Sequence, residues 1–450
     1  MNELNKASAG DISPEVPQKR RRPSPWSWIP TLYIAEGLPN VIVTGLSVVI
    51  MLQMGMSNTS IGIYTSWLQL PWIIKPLWSP FVDIFKTKRW WVIAMQMLLG
   101  AAFAGIAFTI GTSWWFECIM FFLFLTGFSS ATHDIAADGY YMIELDDHQQ
   151  SFFVGIRNTF YRLAVIFGNG VLVPVAGLLQ KYTGIAYSWS LVFFGMAGLF
   201  IAFALYHKFR MPQSPDDKSR VLTSAETFRM LGRSLSTYFT KFPLKETIVA
   251  MLFLLLFRFP EALLTKMSPT FLLRPAAEGG LGLSPEQYGL AYGTIGAIGL
   301  LAGGILGGIL ASRDGVRKWL WPMVLALTLP DLVYVYLSSG HQAGLGLVTA
   351  CIFIEQLGYG FGFTALTLFM LYFSAGEFKT SHYSICTGIT YLGLMLPGMV
   401  SGYLADRLGY HDFFILVMVF CVITFAVTAL IKIDPSFGKS VENKSKDNEQ

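Results

Sequence analysis

Residues Trp28–Leu52 read WIPTLYIAEGLPNVIVTGLSVVIML, an apolar stretch of 25 residues that contains one carboxylate, Glu36. A second stretch, Ala250–Leu273, reads AMLFLLLFRFPEALLTKMSPTFLL and contains Glu261. Each is longer than the ~20 residues that an α-helix needs to cross a bilayer. A carboxylate at that depth is costly, and it usually faces a water-filled cavity, a partner charge or a proton path. The two stretches therefore predict paired functional sites inside a membrane protein.

The whole chain has the composition of a multi-pass membrane protein. It has 450 residues, of which 53% are hydrophobic and 13% are charged, whereas a soluble domain carries about 25% charge. Twelve segments approach the length and apolarity of a spanning helix, which predicts an all-α membrane protein. The predicted spans are 28–52, 60–84, 90–111, 114–142, 151–180, 187–207, 246–273, 286–312, 319–338, 343–373, 379–405 and 411–432.

Basic residues are distributed unequally between the two sides of the predicted membrane. Of the 32 Lys and Arg residues, three lie on one side, at Lys181, Arg274 and Arg407, and five lie within spans. The rest fall on the opposite loops and on both tails, so the positive-inside rule predicts cytoplasmic N- and C-termini. The expected location is the cell (inner) membrane. Because the basic residues are scattered over loops beside the membrane, they give no support to nucleic-acid binding.

A polar segment divides the spans into two groups of six. Within it, Thr223-Ser-Ala-Glu226 has the pattern of a helix capping box, and the apolar residues that follow at helical spacing predict an amphipathic helix on the membrane surface. The predicted domains are a disordered cytoplasmic tail (1–25), an N-terminal six-helix bundle (26–207), a cytoplasmic linker with the amphipathic helix (208–245), a C-terminal six-helix bundle (246–432) and a second cytoplasmic tail (433–450).

Short motifs recur in the two halves at a nearly constant offset. MSNTSIG at 56–62 aligns with LSPEQYG at 283–289, and GLLQKYTG at 177–184 aligns with GYLADRLG at 402–409. Two six-span halves with the same orientation form a parallel repeat, the two-bundle plan of the major facilitator superfamily. The predicted fold is therefore a twelve-helix protein of that superfamily.

Acidic residues occur in the spans that line the central cavity in that plan, namely the first, fourth, seventh and tenth. A buried carboxylate is suited to carrying a proton. The candidate proton-coupling residues are Glu36, Asp134, Asp138, Glu261 and Glu355.

Five basic residues lie within spans and are candidates for binding a substrate carboxylate, because Arg binds it as a fork and Lys as a point charge. Weaker candidates for the site are His133, His382 and Asp331. The candidate substrate-binding residues are Lys75, Arg157, Arg162, Arg258 and Lys266.

Several of these charges are placed to pair. Asp134 and Asp138 lie one turn apart on the fourth span. If the fourth and fifth spans are antiparallel neighbours, Asp138 comes level with Arg157, and Asp134 with Arg162. Such buried pairs either fix helix packing or exchange a partner for a proton or a substrate during transport. Lys75 could also reach a neighbouring acid.

The seventh span places Arg258 three residues before Glu261, so the two are expected to pair on one helical turn. Pro260 between them, and Pro39 just after Glu36, are expected to weaken the local helix. Glu36 has no local cation, and Lys75 is a candidate partner across a helix interface. Glu36 is therefore the better candidate for a free, titrating acid, and Glu261 for a substrate-linked pair.

Other motifs point to packing and give no sign of enzyme chemistry. The glycine-rich run at 293–308 favours close helix contacts. The four cysteines show no metal or disulfide spacing. The chain contains no G-x-S-x-G, H-E-x-x-H or P-loop motif. We therefore expect no enzyme activity, no metal and no cofactor.

Four segments resemble the AmpG-type muropeptide permeases and their relatives, the acetyl-CoA transporters. These are LPWIIKPLWSPFVD (70–83), AEGLP (35–39), HDIAADGY (133–140) and RFPEA (258–262). The chain departs from the family pattern at His133, where Gln is usual, and at Glu261, where Asp is usual. The superfamily loop G-x-x-x-D-R-x-G-R/K is only partly kept, near 308–317.

We expect a monomeric transporter that works by alternating access, and the resemblance implies that it imports cell-wall muropeptides or anhydromuramyl sugars together with protons. Its expected partners are this solute, protons and the lipid bilayer. Another solute, such as an acyl-CoA, a siderophore or a drug, is the alternative within transport. A membrane acyltransferase and a sensor that binds fragments without moving them are the alternatives outside it.

Overall fold

The computed structural model shows helices and no strands in the residues that it describes. The described residues are 23–145, 147–215, 217, 224–340, 343–376, 379–434 and 437. Nearly all of the two predicted tails and Thr223 of the predicted capping box lie outside them.

The membrane helices are named α1 to α12 in chain order. Within the described chain, eleven helices are long and apolar enough to cross a membrane, and a broken α2 makes the twelfth. Their bounds are α1 Pro25–Gln53, α2 Asn58–Trp67 and Leu70–Ile84, α3 Lys88–Thr109, α4 Trp115–Glu144, α5 Asp147–Phe167 extended through Gly168–Leu172 and Val173–Thr183, α6 Ile185–Arg210, α7 Leu244–Leu256 and Phe259–Leu273, α8 Pro285–Asp314, α9 Val316–Leu337, α10 Leu345–Ser374, α11 Lys379–Leu408 and α12 Tyr410–Leu430.

The second predicted span differs from the structure because α2 is not one continuous helix. It consists of a piece of 10 residues and a piece of 15 residues, with a turn at Leu68 and Gln69. Pro71 has no backbone N–H, and a proline ring clashes with the carbonyl four residues earlier, so continuing the first piece through it would cost stability. A proline is tolerated at the start of a helix, and the second piece begins at Leu70 with Pro71 in its first turn.

Prolines act differently in α1 and α7. The predicted weakening at Pro260 is confirmed, because α7 is interrupted at Phe257 and Arg258 and Pro260 lies in the first turn of its second piece. The expectation for Pro39 is only partly met. Pro39 stays inside a continuous helix, which widens into a π-helical segment at Ile42–Leu46.

The structure repeats itself where the sequence motifs recur. Ser57 and Ser284 have nearly the same backbone angles, and each caps a helix by accepting from the N–H three residues later. Gly184 and Gly409 both have positive φ, at 81° and 76°, with ψ of 166° and 162°. A positive φ favours glycine because it has no Cβ. The aligned motifs thus build the same turns in both halves.

Helix packing follows the same scheme in residues 25–210 (the N-terminal half) and 244–430 (the C-terminal half). α1 packs on α5 as α7 packs on α11, and α3 packs on α4 as α9 packs on α10. The halves meet chiefly where α2 contacts α11 and where α5 contacts α8. We call the end with both termini the proximal end and the opposite end the distal end.

The described part of the linker joins both halves at the proximal end. A helix at Ser224–Thr240 contacts α11, where the buried Tyr238 packs edge-on against the ring of His382 and His382 Nε2 lies 3.1 Å from the carbonyl oxygen of Ser234. Asp217 caps the start of α3 by accepting from the backbone N–H of Lys88 at 2.7 Å. The linker is therefore anchored to the transmembrane helices at both of its ends.

Candidate functional site

One cluster of charges lies in the N-terminal half, where α1, α4 and α5 meet. Arg157 Nη2 lies 2.9 Å from Asp138 Oδ1, so the pair predicted from the antiparallel register is confirmed. The Tyr33 hydroxyl donates to the same oxygen at 3.4 Å. The Arg157 guanidinium lies 4.7 Å from the ring centroid of Tyr33 and 5.2 Å from that of Tyr141. Cation–π contacts of this kind fix the orientation of the guanidinium.

A second ion pair joins α2 to α4. Lys75 Nζ lies 3.5 Å from Asp134 Oδ2, so the predicted pairing of Asp134 with Arg162 is wrong, and so is the pairing of Lys75 with Glu36. Helix geometry explains why Asp134 does not pair with Arg162. Arg157 and Arg162 are five residues apart, which separates them by about 140° around the helix, so both cannot face the same side of α4.

Glu36 on α1 is buried, at 8% exposed, and its Oε2 has no hydrogen-bond partner among the described residues. Asp138, Asp134, Arg157 and Lys75 are its charged neighbours, but both cations are already paired with the two aspartates. Protonation of Glu36 therefore breaks no ion pair.

A second cluster lies in the C-terminal half, at the break in α7. The predicted pair is confirmed: Arg258 donates through Nε and Nη2 to the two carboxylate oxygens of Glu261, both at 3.2 Å. Arg258 Nη2 also donates to the Tyr359 hydroxyl at 2.5 Å, and its guanidinium lies 5.0 Å from the Phe363 ring centroid. Two parallel hydrogen bonds make this a geometrically specific ion pair.

Two further acids lie beside this pair. Glu355 on α10 accepts from the amide of Gln356 at 2.9 Å and 3.2 Å. Asp331, within α9, is 4% exposed, and its acidic neighbours are Glu355 and Glu261. Among the described residues of the C-terminal half, Glu261, Glu355 and Asp331 thus form a group of buried carboxyl groups, of which Glu261 pairs with Arg258.

Contacts across the centre of the molecule connect the halves. Lys266 on α7 is 3% exposed and donates to the Thr65 hydroxyl of α2 at 3.0 Å. Within the described chain it has no carboxylate partner within 4 Å. Tyr391 on α11 accepts from the Asn40 amide at 3.5 Å and stacks on Trp72, with ring centroids 5.9 Å apart.

Sequence reasoning missed the tyrosines of the two clusters and of the interface. Tyr33, Tyr359 and Tyr391 carry no signal of their own in a chain with 15% aromatic residues. Of these three, Tyr359 was the easiest to predict, because it lies one helical turn after Glu355 and therefore on the same face of α10.

His133, a weaker candidate, belongs to a buried polar chain inside the N-terminal half. Gln96 on α3 donates through Nε2 to His133 Nε2 at 2.9 Å, and its Oε1 lies 2.9 Å from Nδ1 of His207 on α6. His207 Nε2 lies 2.9 Å from the Thr31 hydroxyl of α1. These contacts tie four helices together and give His133 a packing role.

At the distal end, five of the described polar residues join the halves beside the contact of α2 with α11, and we call them the distal clamp: Asn58, Thr59, Arg274, Asp406 and Tyr410. Arg274 donates to Asn58 Oδ1, and Asn58 donates to the Tyr410 hydroxyl, both at 3.1 Å. Asp406 accepts from the backbone N–H and the hydroxyl of Thr59, at 2.9 Å and 2.7 Å. A carboxylate at the start of a helix is favoured by the helix dipole. The distal end is therefore closed by charged and polar contacts.

Glycines allow helices to approach closely, both at the clamp and elsewhere. A Cβ on Gly402 of α11 would lie 1.8 Å from the carbonyl oxygen of Asn58 on α2. A Cβ on Gly293 of α8 would lie 2.3 Å from the carbonyl carbon of Asn169 on α5. The predicted packing role of the glycine-rich run is confirmed, since Gly303 approaches the carbonyl oxygen of Leu357 on α10 equally closely.

Comparison with protein families agrees with this architecture of two repeated halves. Residues 32–273 and 254–450 match the family model of the Major Facilitator Superfamily. The chain belongs to the major facilitator superfamily. It is a multi-pass membrane transporter of that type, and the family assignment places it among permeases and not among enzymes.

The curated relatives confirm the predicted resemblance to AmpG-type permeases. The anhydromuropeptide permease of Escherichia coli K12 is 24% identical over 401 residues, which cover 85% of this chain and 75% of that protein. An uncharacterized protein of Haemophilus influenzae Rd is 23% identical over 398 residues, covering 84% and 88%.

A solved structure supports the fold of this superfamily member. The nucleoside transporter NupG superimposes with a TM-score of 0.67 at 17% sequence identity, over 91% of this chain and 99% of that one. At this identity the likeness concerns the fold alone. The predicted twelve-helix fold of the superfamily is confirmed.

Proposed function

We propose that this transporter imports anhydromuropeptides or anhydromuramyl sugars together with protons by alternating access. It would act as a monomer in the cell (inner) membrane, with both termini in the cytoplasm. The relative in Escherichia coli named anhydromuropeptide permease supports the substrate class. The unequal distribution of lysine and arginine between the two ends supports the orientation.

The observation that carries the proposal is the unequal pairing of buried charges. Glu36 has no hydrogen bond from any described residue to its buried Oε2, whereas Asp134, Asp138 and Glu261 each have a cation within 3.5 Å. An unpaired buried carboxyl group is suited to bind and release a proton. We therefore assign proton binding first to Glu36, with the paired acids and Glu355 as further members of the proton path.

Substrate carboxylates require cations that are not already neutralised. Among the described residues, no carboxylate lies within 4 Å of Arg162 or Lys266. The Arg162 guanidinium lies against Gly304 of α8, and Lys266 reaches α2, so both side chains touch the opposite half. We propose that these two residues bind substrate directly. Lys75, Arg157 and Arg258 would join when their acids become protonated.

The coupling role of Glu36 can be separated from substrate binding. In Glu36→Gln proteoliposomes, solute accumulation driven by a pH gradient is expected to be lost, because the amide cannot carry a proton. Exchange of labelled for unlabelled solute should continue, because exchange needs no net proton movement. Both rates are measured with labelled anhydromuropeptide.

Glu117→Gln is the matched control, because Glu117 is exposed at the distal start of α4. It should keep both driven accumulation and exchange. If Glu36→Gln retained gradient-driven accumulation, Glu36 would not be the coupling acid.

Transport of another solute of similar charge is the second candidate function. A competition experiment distinguishes it from muropeptide import. Unlabelled muropeptide should suppress uptake of the label, whereas an acyl-CoA, a siderophore or a drug should not. Chemical modification of the solute without accumulation would indicate an acyltransferase, and binding without exchange would indicate a sensor.

A further inference from the structure

Two neighbouring grooves lie on the outer surface at the proximal end, one on each side of the end of α12. The first has a volume of about 370 Å³ and runs between α7, α10 and α12. The second has a volume of about 390 Å³ and runs between α9 and α12. Both are lined by Ala429, Ile431 and Lys432. They therefore form one divided site, which lies outside the two charge clusters.

Three basic side chains lie in this divided site: Lys245 in the first groove, Arg317 in the second and Lys432 in both. None has an ion-pair partner within 4 Å in the described part of the chain. Nearby, Lys318 has such a partner, because its Nζ lies 3.3 Å from Asp314 Oδ2. The two grooves thus carry positive charge at the proximal end that no described ion pair neutralises.

The surface around the grooves is apolar and exposed. Leu430 in the first groove is 56% exposed and Trp321 in the second is 43% exposed, while Leu244 and Ile248 at the start of α7 are 71% and 47% exposed. In a membrane protein such a surface faces lipid chains. Tryptophan is typical of the boundary between these chains and the head groups.

We propose that the divided groove binds one anionic phospholipid with a glycerol head group. Its phosphodiester would lie between Lys245, Arg317 and Lys432, and its two acyl chains would follow the grooves on either side of α12. Glu246, which also lines the first groove, would accept a hydrogen bond from a glycerol hydroxyl. Basic pockets between helices at the cytoplasmic side bind anionic head groups in this way.

The proposal is tested by adding phosphatidylglycerol to the purified full-length protein in detergent and measuring bound lipid by native mass spectrometry. We expect one lipid to be retained and to raise the melting temperature, whereas phosphatidylcholine does neither. In the triple variant Lys245→Gln, Arg317→Gln, Lys432→Gln, affinity should fall on the order of 100-fold, because each basic residue near an anionic surface adds to binding.

The control is the triple variant Arg210→Gln, Arg313→Gln, Lys318→Gln, which removes the same charge at the same end but outside the groove lining. It should bind phosphatidylglycerol as the wild type does. Equal loss in both variants would overturn the proposal, since binding would then reflect bulk charge. Equal stabilisation by inorganic phosphate would also overturn it.

Lys432→Gln alone provides a second test if the triple variant folds poorly, because the side chain is exposed and common to both grooves. The expected result is a clear loss of bound phosphatidylglycerol with an unchanged melting temperature in lipid-free detergent. Unchanged lipid binding in this variant would contradict the site.

Discussion

Replacing Glu261 by Gln is expected to abolish uptake and to destabilise the C-terminal half by about 3–5 kcal/mol, the usual cost of removing one partner from a buried ion pair. Glu261 and Arg258 are well buried, with side chains 5% and 12% exposed. The amide cannot neutralise Arg258, and Tyr359 alone does not replace the lost charge. Uptake into proteoliposomes and thermal unfolding measure the two effects.

The double variant Arg258→Gln, Glu261→Gln separates stability from function. Removing both charges avoids an uncompensated guanidinium, so stability should recover at least in part, whereas uptake should not. Glu117→Gln is again the control, because Glu117 is an exposed carboxylate outside both charge clusters and the distal clamp, and it should change neither uptake nor stability. A normal uptake rate in Glu261→Gln would contradict a functional role for the pair.

Replacing Gly402 by Ala is expected to hold the distal end open and to reduce transport strongly. The added Cβ would lie 1.8 Å from the carbonyl oxygen of Asn58, so α11 and α2 must separate. Spin labels at Tyr182 and Ala277, both exposed at the distal end, report the distance between the halves. In a background without the native cysteines, the Gly402→Ala distance should be longer than that of the parent protein.

Two glycine controls test whether the contact between Gly402 and Asn58 causes the longer distance and the reduced transport. In Gly308→Ala the added Cβ would meet no atom within 4 Å. This variant should change neither the distance between the labels nor the transport rate. Gly303→Ala would place its Cβ 2.0 Å from the carbonyl oxygen of Leu357, within the C-terminal half. It should lower stability while leaving the distance between the labels unchanged. An unchanged distance in Gly402→Ala would show that the clamp does not depend on this contact.

Much of the fold could be predicted because bilayer thickness imposes long apolar helices, and because the repeated motifs build equivalent turns. Gly184 and Gly409, aligned in sequence, share a positive φ that glycine adopts easily. The break in α2 was missed because hydropathy does not register a missing backbone donor. Pro71 supplied the signal, but proline also occurs inside continuous helices, as Pro39 does in α1.

Local pairs in the candidate site were easier to predict than distant ones. Arg258 and Glu261 are three residues apart, and their pairing follows from that spacing even though Arg258 lies at the break in α7. The pairing of Asp138 with Arg157 needed only the antiparallel register, but that register says nothing of the angle around each helix. Arg162 therefore points away from Asp134, and Lys75 from another helix takes its place.

The distal clamp could not be predicted, because it joins residues far apart in sequence that look like ordinary loop and helix-end residues. Asn58 and Arg274 are separated by 216 positions, and Thr59 and Asp406 by 347. Only the packing of the two halves brings them together. Such contacts depend on tertiary structure and leave no periodic pattern in the sequence.

The most direct test of the proposed function is uptake of labelled anhydromuropeptide into wild-type proteoliposomes, with and without an inward proton gradient. A gradient of about one pH unit can support at most about tenfold accumulation for one proton per solute, because 1.4 kcal/mol is a factor of ten. We predict accumulation above equilibrium that collapses with a protonophore. Uptake that is equal with and without the gradient, or no uptake of this solute, would contradict proton-coupled muropeptide import.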